Sequence, residues 1–356
     1  MIRIDGSEGE GGGQILRTAL ALSILTDQPF QIVRIRAGRR NPGLAPQHLA
    51  GVLAAARICD AEVEGAHLGS GELIFRPGRS AAPGRYTFDI SQLAGKGSAG
   101  AVTLLLQAIL LPLALAAGPS HLTLRGGTHV AWSPPVHYVE WVLLPTLAQA
   151  GLQATIRLLK WGWYPRGGGE VEVTIQGQAR LRGLDLVERG QFLDLRGLAV
   201  ATNLPAHIPQ RISGRLNNLL RAEGLPPGVQ PLRTTGPSTG AGVFVSLSYE
   251  NVTAGFSALG ERGKPSEKVA NEAAAEVIAY HRQTAALDPH LPDQLLPVLA
   301  LAGGPSALST QRITRHVLTN VAVIGRFVER PITVEGNEGE PGLIRVAGDA
   351  PVLPSP

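Results

Sequence analysis

Residues 2–25, IRIDGSEGEGGGQILRTALALSIL, decide the reading of the fold. IRID alternates apolar and polar side chains as a half-buried strand does, the glycines of EGEGGG break it, and QILRTALALSIL carries the spacing of a buried helix. Beyond them, QIVRIRA predicts a second strand and PQHLAGVLAAARIC a second helix, and GELIFRPG belongs to a closing strand pair. The same order returns from YTFDI through the turn GKGSAG into a long apolar helix, then strand HLTLRGG, helix VHYVEWVLLPTLAQA and the pair within TIRLLKWGWYPRGGGEVEVTIQG. This is an internal repeat. A third copy is split, with DQLLPVLALAGG, the helix HVLTNVAVIGRFV and the strand ITVEG all lying after residue 290.

Between the parts of that third copy, Leu184 to Tyr280 keep a rhythm of their own: strand QFLDLRGLAVAT, helix PQRISGRLNNLLRAEG, a loop around GPSTGAG, strand GVFVSLSYE and helix PSEKVANEAAAEVIAY. The expected class is therefore α/β (α+β). A large domain forms from residues 1–183 plus 281–346, a smaller α/β domain is inserted at 184–280, and a disordered tail follows at 347–356.

Composition bounds the function. Of 356 residues, 17% are charged and 44% hydrophobic, with 44 glycines and 27 prolines, which fits a globular chain with many tight turns and not a disordered one. The net charge of +4 suits phosphate-rich partners but is too small for a protein that coats nucleic acid. Cys59 is the single cysteine, so no intrachain disulfide can form, and it is expected to be a buried bystander. The N-terminus has no apolar leader, so a cytoplasmic protein is expected. Ala99 to Ala117 is apolar enough to imitate a membrane span, but Gln107 and Pro112 interrupt it and no basic anchor follows. A helix buried between sheets, with no membrane partner, is expected.

Three clusters could carry chemistry. In EGEGGGQ (8–14), backbone N–H groups and the following helix start suit an anion, although ligand-free glycine turns are common and neither the Walker spacing nor GxGxxG is present. Glu10 beside such a site could hold a metal that bridges to phosphates, and Arg17, on the face of Gln14, could reach the same anion. RIRAGRRNPGLAPQHL supplies Arg34, Arg36, Arg39, Arg40, Gln47 and His48, which read either as phosphate-binding forks or as a solvated basic loop, with His48 a cap or core residue. His316 opens a helix with Val317, Leu318, Val321, Ile324 and Phe327 expected on its buried face. The helix dipole would favour its neutral, nucleophilic imidazole. GGTHVAWSPP and KWGWYPRGGGE could stack bases or be strand–turn–strand structure.

With these residues in place, the chain resembles the RNA 3'-terminal phosphate cyclase family up to about residue 346. The segments DGxxGEGGGQILR, IRAGRxxPGLxxQHL, HLGSGELIFRPG, GGT…PP, YPRGGGE, LGERG, DQL and HxLTN occur in family order. The resemblance implies three βαβαββ-type repeats as in enolpyruvate transferases, with a smaller insert. It implies ATP and a divalent metal, Mg or Mn, as cofactors and an RNA with a 3'-phosphate end as partner. It makes His316 the adenylylated nucleophile and Glu10 the metal carboxylate. Arg17, Arg36, Arg39, Gln47, His48 and Gln107 then surround nucleotide and phosphate. Pro134 and His290 sandwich adenine, with histidine at 290 where the family has tyrosine, and Asp293 and Gln294 lie beside the base and α-phosphate. A non-catalytic relative and an enolpyruvate transferase are the rival readings, and neither gives an adenylylated histidine a role.

Overall fold

The computed structural model describes residues 1–94 and 99–348. The first repeat holds strand β1 (Ile2–Asp5), helix α1 (Gly13–Thr26), β2 (Phe30–Val33), α2 (Pro46–Cys59), β3 (Glu62–Glu64) and β4 (Leu73–Arg76). β1 and β2 run parallel, joined by α1 as their crossover, and β4 then returns antiparallel between β2 and β3, giving the order β1-β2-β4-β3. The second repeat holds β5 (Arg85–Asp89), α3 (Val102–Leu115), β6 (Ser120–Gly126), α4 (Val136–Tyr138), a π turn (Val139–Leu143), α5 (Leu144–Gln149), β7 (Ala154–Lys160) and β8 (Gly169–Ile175). Its order, β5-β6-β8-β7, repeats the first sheet strand for strand.

The third repeat opens at β9 (Asp185–Leu186). The insert follows: β10 (Phe192–Thr202), α6 (His207–Ala222), β11 (Val229–Thr234), β12 (Gly240–Tyr249), β13 (Thr253–Leu259) and α7 (Ser266–His281), with sheet order β11-β10-β12-β13. The repeat resumes with α8 (Leu291–Leu299), β14 (Ser306–Thr310), α9 (Arg315–Phe327), β15 (Ile332–Glu335) and β16 (Gly342–Val346), and its sheet is ordered β9-β14-β16-β15. Two residues of the expected insert span 184–280, Asp185 and Leu186, lie in the sheet of the third repeat. β9 pairs parallel with β14 through Asp185–Ala307 and Leu186–Leu308, so the chain leaves the large domain only after its third sheet has begun. Two insert strands, β11 and β13, were not expected; VQPLRT lies largely exposed and lacks the apolar alternation that announces a strand. QIVRIRA is shorter than expected, because Arg34 and Arg36 take left-handed φ values of 54° and 52° and turn the chain out of the sheet after Val33.

Helices from all three repeats meet in one core, α1 packing on α2, α3 and α9, and α8 on α9. This placement explains the apolar stretch that imitates a membrane span. α3 has 14 residues, fewer than the roughly 20 that cross a bilayer, and all but Gln107 and Leu115 are buried against neighbouring helices and sheets. Among the described residues no helix is long and apolar enough to cross a membrane. Cys59 is fully buried and donates to the Ala55 carbonyl at 3.2 Å. Residues 95–98, which carry Lys96 of the GKGSAG turn, and 349–356, most of the tail expected to be disordered, lie outside the described residues.

Candidate active site

Two helix starts from different repeats face each other. Thr314 caps α9, its hydroxyl accepting from the Val317 N–H at 3.3 Å, which sets His316 in the first turn. Across from it, Gln14 in the first turn of α1 is 4% exposed although polar, because α1 lies among other helices. Gln14 Nε2 donates to Asp293 Oδ2 at 2.7 Å, which turns Oε1 toward His316, where it accepts a hydrogen bond from Nδ1. An amide oxygen only accepts. This network assigns the imidazole proton to Nδ1 and leaves a lone pair on Nε2.

The imidazole is neutral at physiological pH. Burial pushes its pKa down to about 4, helped first by Arg17 and then by His290 and Arg39. Sequence reasoning named only the helix dipole for this shift; the fold adds desolvation and the nearby Arg17 and Arg39. The expected helix face also needs correcting. Leu318 is 38% exposed, while Thr319 and Asn320 turn inward, Thr319 Oγ1 accepting from the Glu10 N–H at 2.9 Å and Asn320 Oδ1 from Thr18 Oγ1 at 2.6 Å.

A second chain of contacts runs beside the first. Arg17 Nε donates to Gln107 Oε1 at 3.0 Å, Gln107 Nε2 to Gln294 Oε1 at 2.7 Å, and Gln294 Nε2 to the His290 carbonyl at 2.7 Å. Asn320 Nδ2 donates to the Asp293 carbonyl at 2.6 Å, which ties α8 to α9. Gln14, Arg17, Gln107, Asp293, Gln294 and Asn320 line one narrow cavity of about 60 Å³. Desolvation raises the Asp293 carboxyl to about 7 against the opposing pull of Arg17, and lowers Arg17 to about 10, which keeps the guanidinium charged.

The glycine loop supplies close approach more than a free anion cradle. A Cβ on Gly9, whose φ is +55°, would collide with the Thr319 hydroxyl; one on Gly12 with the Glu10 carboxylate; one on Gly13 with His48 Nε2. His48 is buried, and its Nδ1 accepts from the Ala45 N–H at 3.2 Å, so it caps α2 and carries its proton on the Nε2 that faces Gly13. Burial, then Arg17 and Arg36, hold it neutral at about 3.

Glu10 is ion-paired through Oε1 with Arg39, and its Oε2 is buried with no hydrogen-bond partner. That orphaned oxygen fits a hard divalent cation. No group of three or more acidic, histidine or cysteine ligands stands among the described residues, so the other positions would come from phosphate oxygens and water. Arg36 is half-buried and donates to the Gly43 carbonyl at 2.8 Å, Gln47 stands half-buried at the start of α2, and Arg34 pairs instead with Asp5.

Pro134 and His290 stand just ahead of α4 and α8, which Tyr138 joins by donating to the buried Asp288 carboxyl at 3.0 Å. Asp288 also accepts from the N–H groups of Gly255 (3.2 Å), His290 (2.8 Å) and Leu291 (3.1 Å), so one carboxyl binds the second repeat, the insert and the third repeat together. Sequence reasoning missed Asp288 and Asn320 and left Gln14 without a role. Gln14, Arg17 and Thr18 at helical spacing on one face of α1 were the available signal.

The chain matches the family model for RNA 3'-terminal phosphate cyclase over residues 8–334. A protein of that name from Trichormus variabilis is 52% identical over 98% of this chain and 99% of its own length. One from Methylococcus capsulatus is 48% identical over 98% and 97%, and one from Methanopyrus kandleri 41% over 97% and 98%. The solved enolpyruvyl transferase NikO from Streptomyces tendae aligns with a TM-score of 0.39 at 13% identity, over 98% of this chain and 48% of that one. With a family match across most of its length and relatives this similar from end to end, the chain belongs to the RNA 3'-terminal phosphate cyclase family.

Proposed function

We propose that the chain is an ATP-dependent cyclase of RNA 3'-phosphate ends, and that His316 is its nucleophile. The observation that carries this reading is the Gln14–His316 bond, which occupies the protonated nitrogen and leaves Nε2 free to attack. His316 Nε2 forms a bond to the α-phosphorus of ATP as the bond to pyrophosphate breaks. The RNA 3'-phosphate oxygen then takes the adenylyl group from the histidine. Finally the neighbouring 2'-hydroxyl attacks the activated phosphate, AMP leaves, and a 2',3'-cyclic phosphate remains.

Each displacement builds negative charge on phosphate oxygens, and Arg17, Arg36 and Arg39 offset it from fixed positions. Glu10 would hold a divalent cation, Mg or Mn, through Oε2, and that ion would neutralise triphosphate charge when bound. In this reading Pro134 and His290 flank adenine, with Gln107, Asp293 and Gln294 on the nucleotide and Gln47 and His48 around the phosphates. The cytoplasm, which holds both ATP and RNA ends, is the assigned compartment.

The test is incubation with α-labelled ATP and metal. Acid-labile label should appear on the wild-type protein and be lost in His316→Ala. An unlabelled wild type, or a labelled variant, sinks the assignment of the nucleophile.

A further inference from the structure

Two loops that the catalytic reading leaves unused lie side by side. The Thr128 and His129 N–H groups both donate to the Gly162 carbonyl, at 2.8 and 3.1 Å, and the Gly162 N–H returns a bond to Thr128 Oγ1 at 2.8 Å. His129 and Trp163 form an isolated parallel bridge. Underneath, the floor is aromatic, with His129 and Trp163 buried. The His129 ring stacks on Trp161 with centroids 4.5 Å apart, and the buried Trp163 indole donates to Thr202 Oγ1 of β10 at 2.9 Å.

The outward side is different. Trp132 on the first loop is 99% exposed, and Tyr164 on the second is 75% exposed. Arg166, also exposed, has no carboxylate partner among the described residues. Trp132 further holds a left-handed φ of 64°, a conformation that disfavours a bulky side chain. The turn around it is nevertheless built. Ser133 Oγ donates to the Val130 carbonyl at 2.9 Å, Val130 packs on Ala101 and Leu104, and Thr103 Oγ1 donates to the Pro134 carbonyl at 2.8 Å. The loop is thus moored to the first turn of α3, the helix that carries Gln107 into the cavity.

An indole wholly in water at a strained position adds nothing to packing, and such an outlier argues for a function. An exposed aromatic face on one loop and an exposed guanidinium without a carboxylate partner on the adjoining loop match one chemistry well: an unstacked nucleobase on the ring and a backbone phosphate on the arginine. We propose that Trp132, with Tyr164 and Arg166 on the adjoining loop, is a stacking platform for the unpaired nucleotides just upstream of the RNA 3'-phosphate. It positions the substrate without touching the reacting atoms, and stacking makes it tolerant of base identity. The proposal rests on the cyclase reading.

The two half-reactions separate the possibilities. Trp132→Ala should form the enzyme–AMP adduct from α-labelled ATP at the wild-type rate and KM. Its KM for a short single-stranded oligoribonucleotide ending in a 3'-phosphate should rise roughly 5- to 100-fold, the span one base stack supports. Trp132→Phe should recover part of that loss. An unchanged RNA KM overturns the platform, and so does a raised ATP KM, which would assign the ring to the nucleotide. Fluorescence titration with the same oligonucleotide tests the platform without catalysis: quenching should be strong in wild type and weak in Trp132→Phe, and equal quenching overturns it. A wild type that takes no label sinks the cyclase reading and leaves this binding measurement to stand alone.

Discussion

His316 Nδ1 and Gln14 Oε1 are joined by a hydrogen bond that spans 302 positions of sequence and connects the third repeat to the first. The bond fixes the tautomer and the ring plane of the proposed nucleophile, and Asp293 in turn fixes Gln14. Gln14→Ala should therefore lower the rate of enzyme–AMP formation by roughly 10- to 100-fold, the scale of losing one orienting contact, while the ATP KM changes little. Single-turnover labelling checks this. A rate within about twofold of wild type would remove Gln14 from the mechanism.

Adenylylation should not follow the ordinary histidine titration. The reactive form is the neutral imidazole and its pKa lies at about 4, so the labelling rate should stay flat as pH falls through 6.5 and drop only near 4. Pre-steady-state labelling in brief acid pulses reads the profile. A midpoint near 6.5 would mean that the site is far wetter than its burial implies.

Stability should move in the same direction as in the usual carboxylate case, with histidines as the cause. His48, His137 and His316 have folded pKa values of about 3, 4 and 4, below the ordinary 6.5, so the unfolded chain binds more protons between pH 4 and 6.5 and stability rises with pH in that window. Asp293, raised to about 7, holds a proton in the folded state that the unfolded state lacks, and it opposes one histidine. His129, lowered by burial, acts with the other histidines, and Asp288, raised by burial, acts with Asp293. The histidines outweigh the opposing carboxyls near pH 5, so stability should climb with pH from there and level off towards 6.5 as the unfolded histidines lose their protons. Urea unfolding between pH 5 and 6.5 measures it, and a negative slope would contradict the assignment.

Glu10 Oε2 is an unpartnered buried oxygen, and satisfying it should stabilise the fold. Addition of Mg or Mn should raise the melting temperature of the wild-type protein, more strongly with ATP present, and should have little effect on Glu10→Gln. The variant should also need higher metal concentrations for labelling. Equal melting shifts in both proteins would take the cation away from Glu10.

Gly13→Ala should damage the site from outside the chemistry. The new Cβ would land on His48 Nε2, and His48 is locked by its cap on the Ala45 N–H. A loss of about 1–3 kcal/mol in stability is expected, together with slower labelling, because His48 must leave its pocket. Calorimetry and labelling on the same preparation check both. Gly214→Ala, at an open position within α6, is the control for adding a methyl group to a helical glycine without a collision.

The repeat was legible because each copy writes the same local signals: alternating strand, glycine break, apolar helix. IRID, YTFDI and their helices fall where those signals put them. The third copy's first strand was not, since β9 has two residues and its pairing partner lies more than 100 positions away. Apolar spacing also misassigned Leu318. An amphipathic pattern averages over a helix, and the first turn of α9 faces a polar site where Thr319 and Asn320 are the inward residues.

For the site, sequence alone determined which residue types stood at which helix starts and in which family order: Glu10 in a glycine loop, Arg17 on the first helix, His316 at the head of another. Local chemistry is enough for that, because capping, glycine breaks and helical spacing act over a few residues. Only the tertiary structure decided that Gln14 orients His316, that Asp288 joins three parts of the chain, and that burial keeps the imidazole neutral. Those are properties of side chains brought together across hundreds of positions, and desolvation has no value until the fold has removed the water.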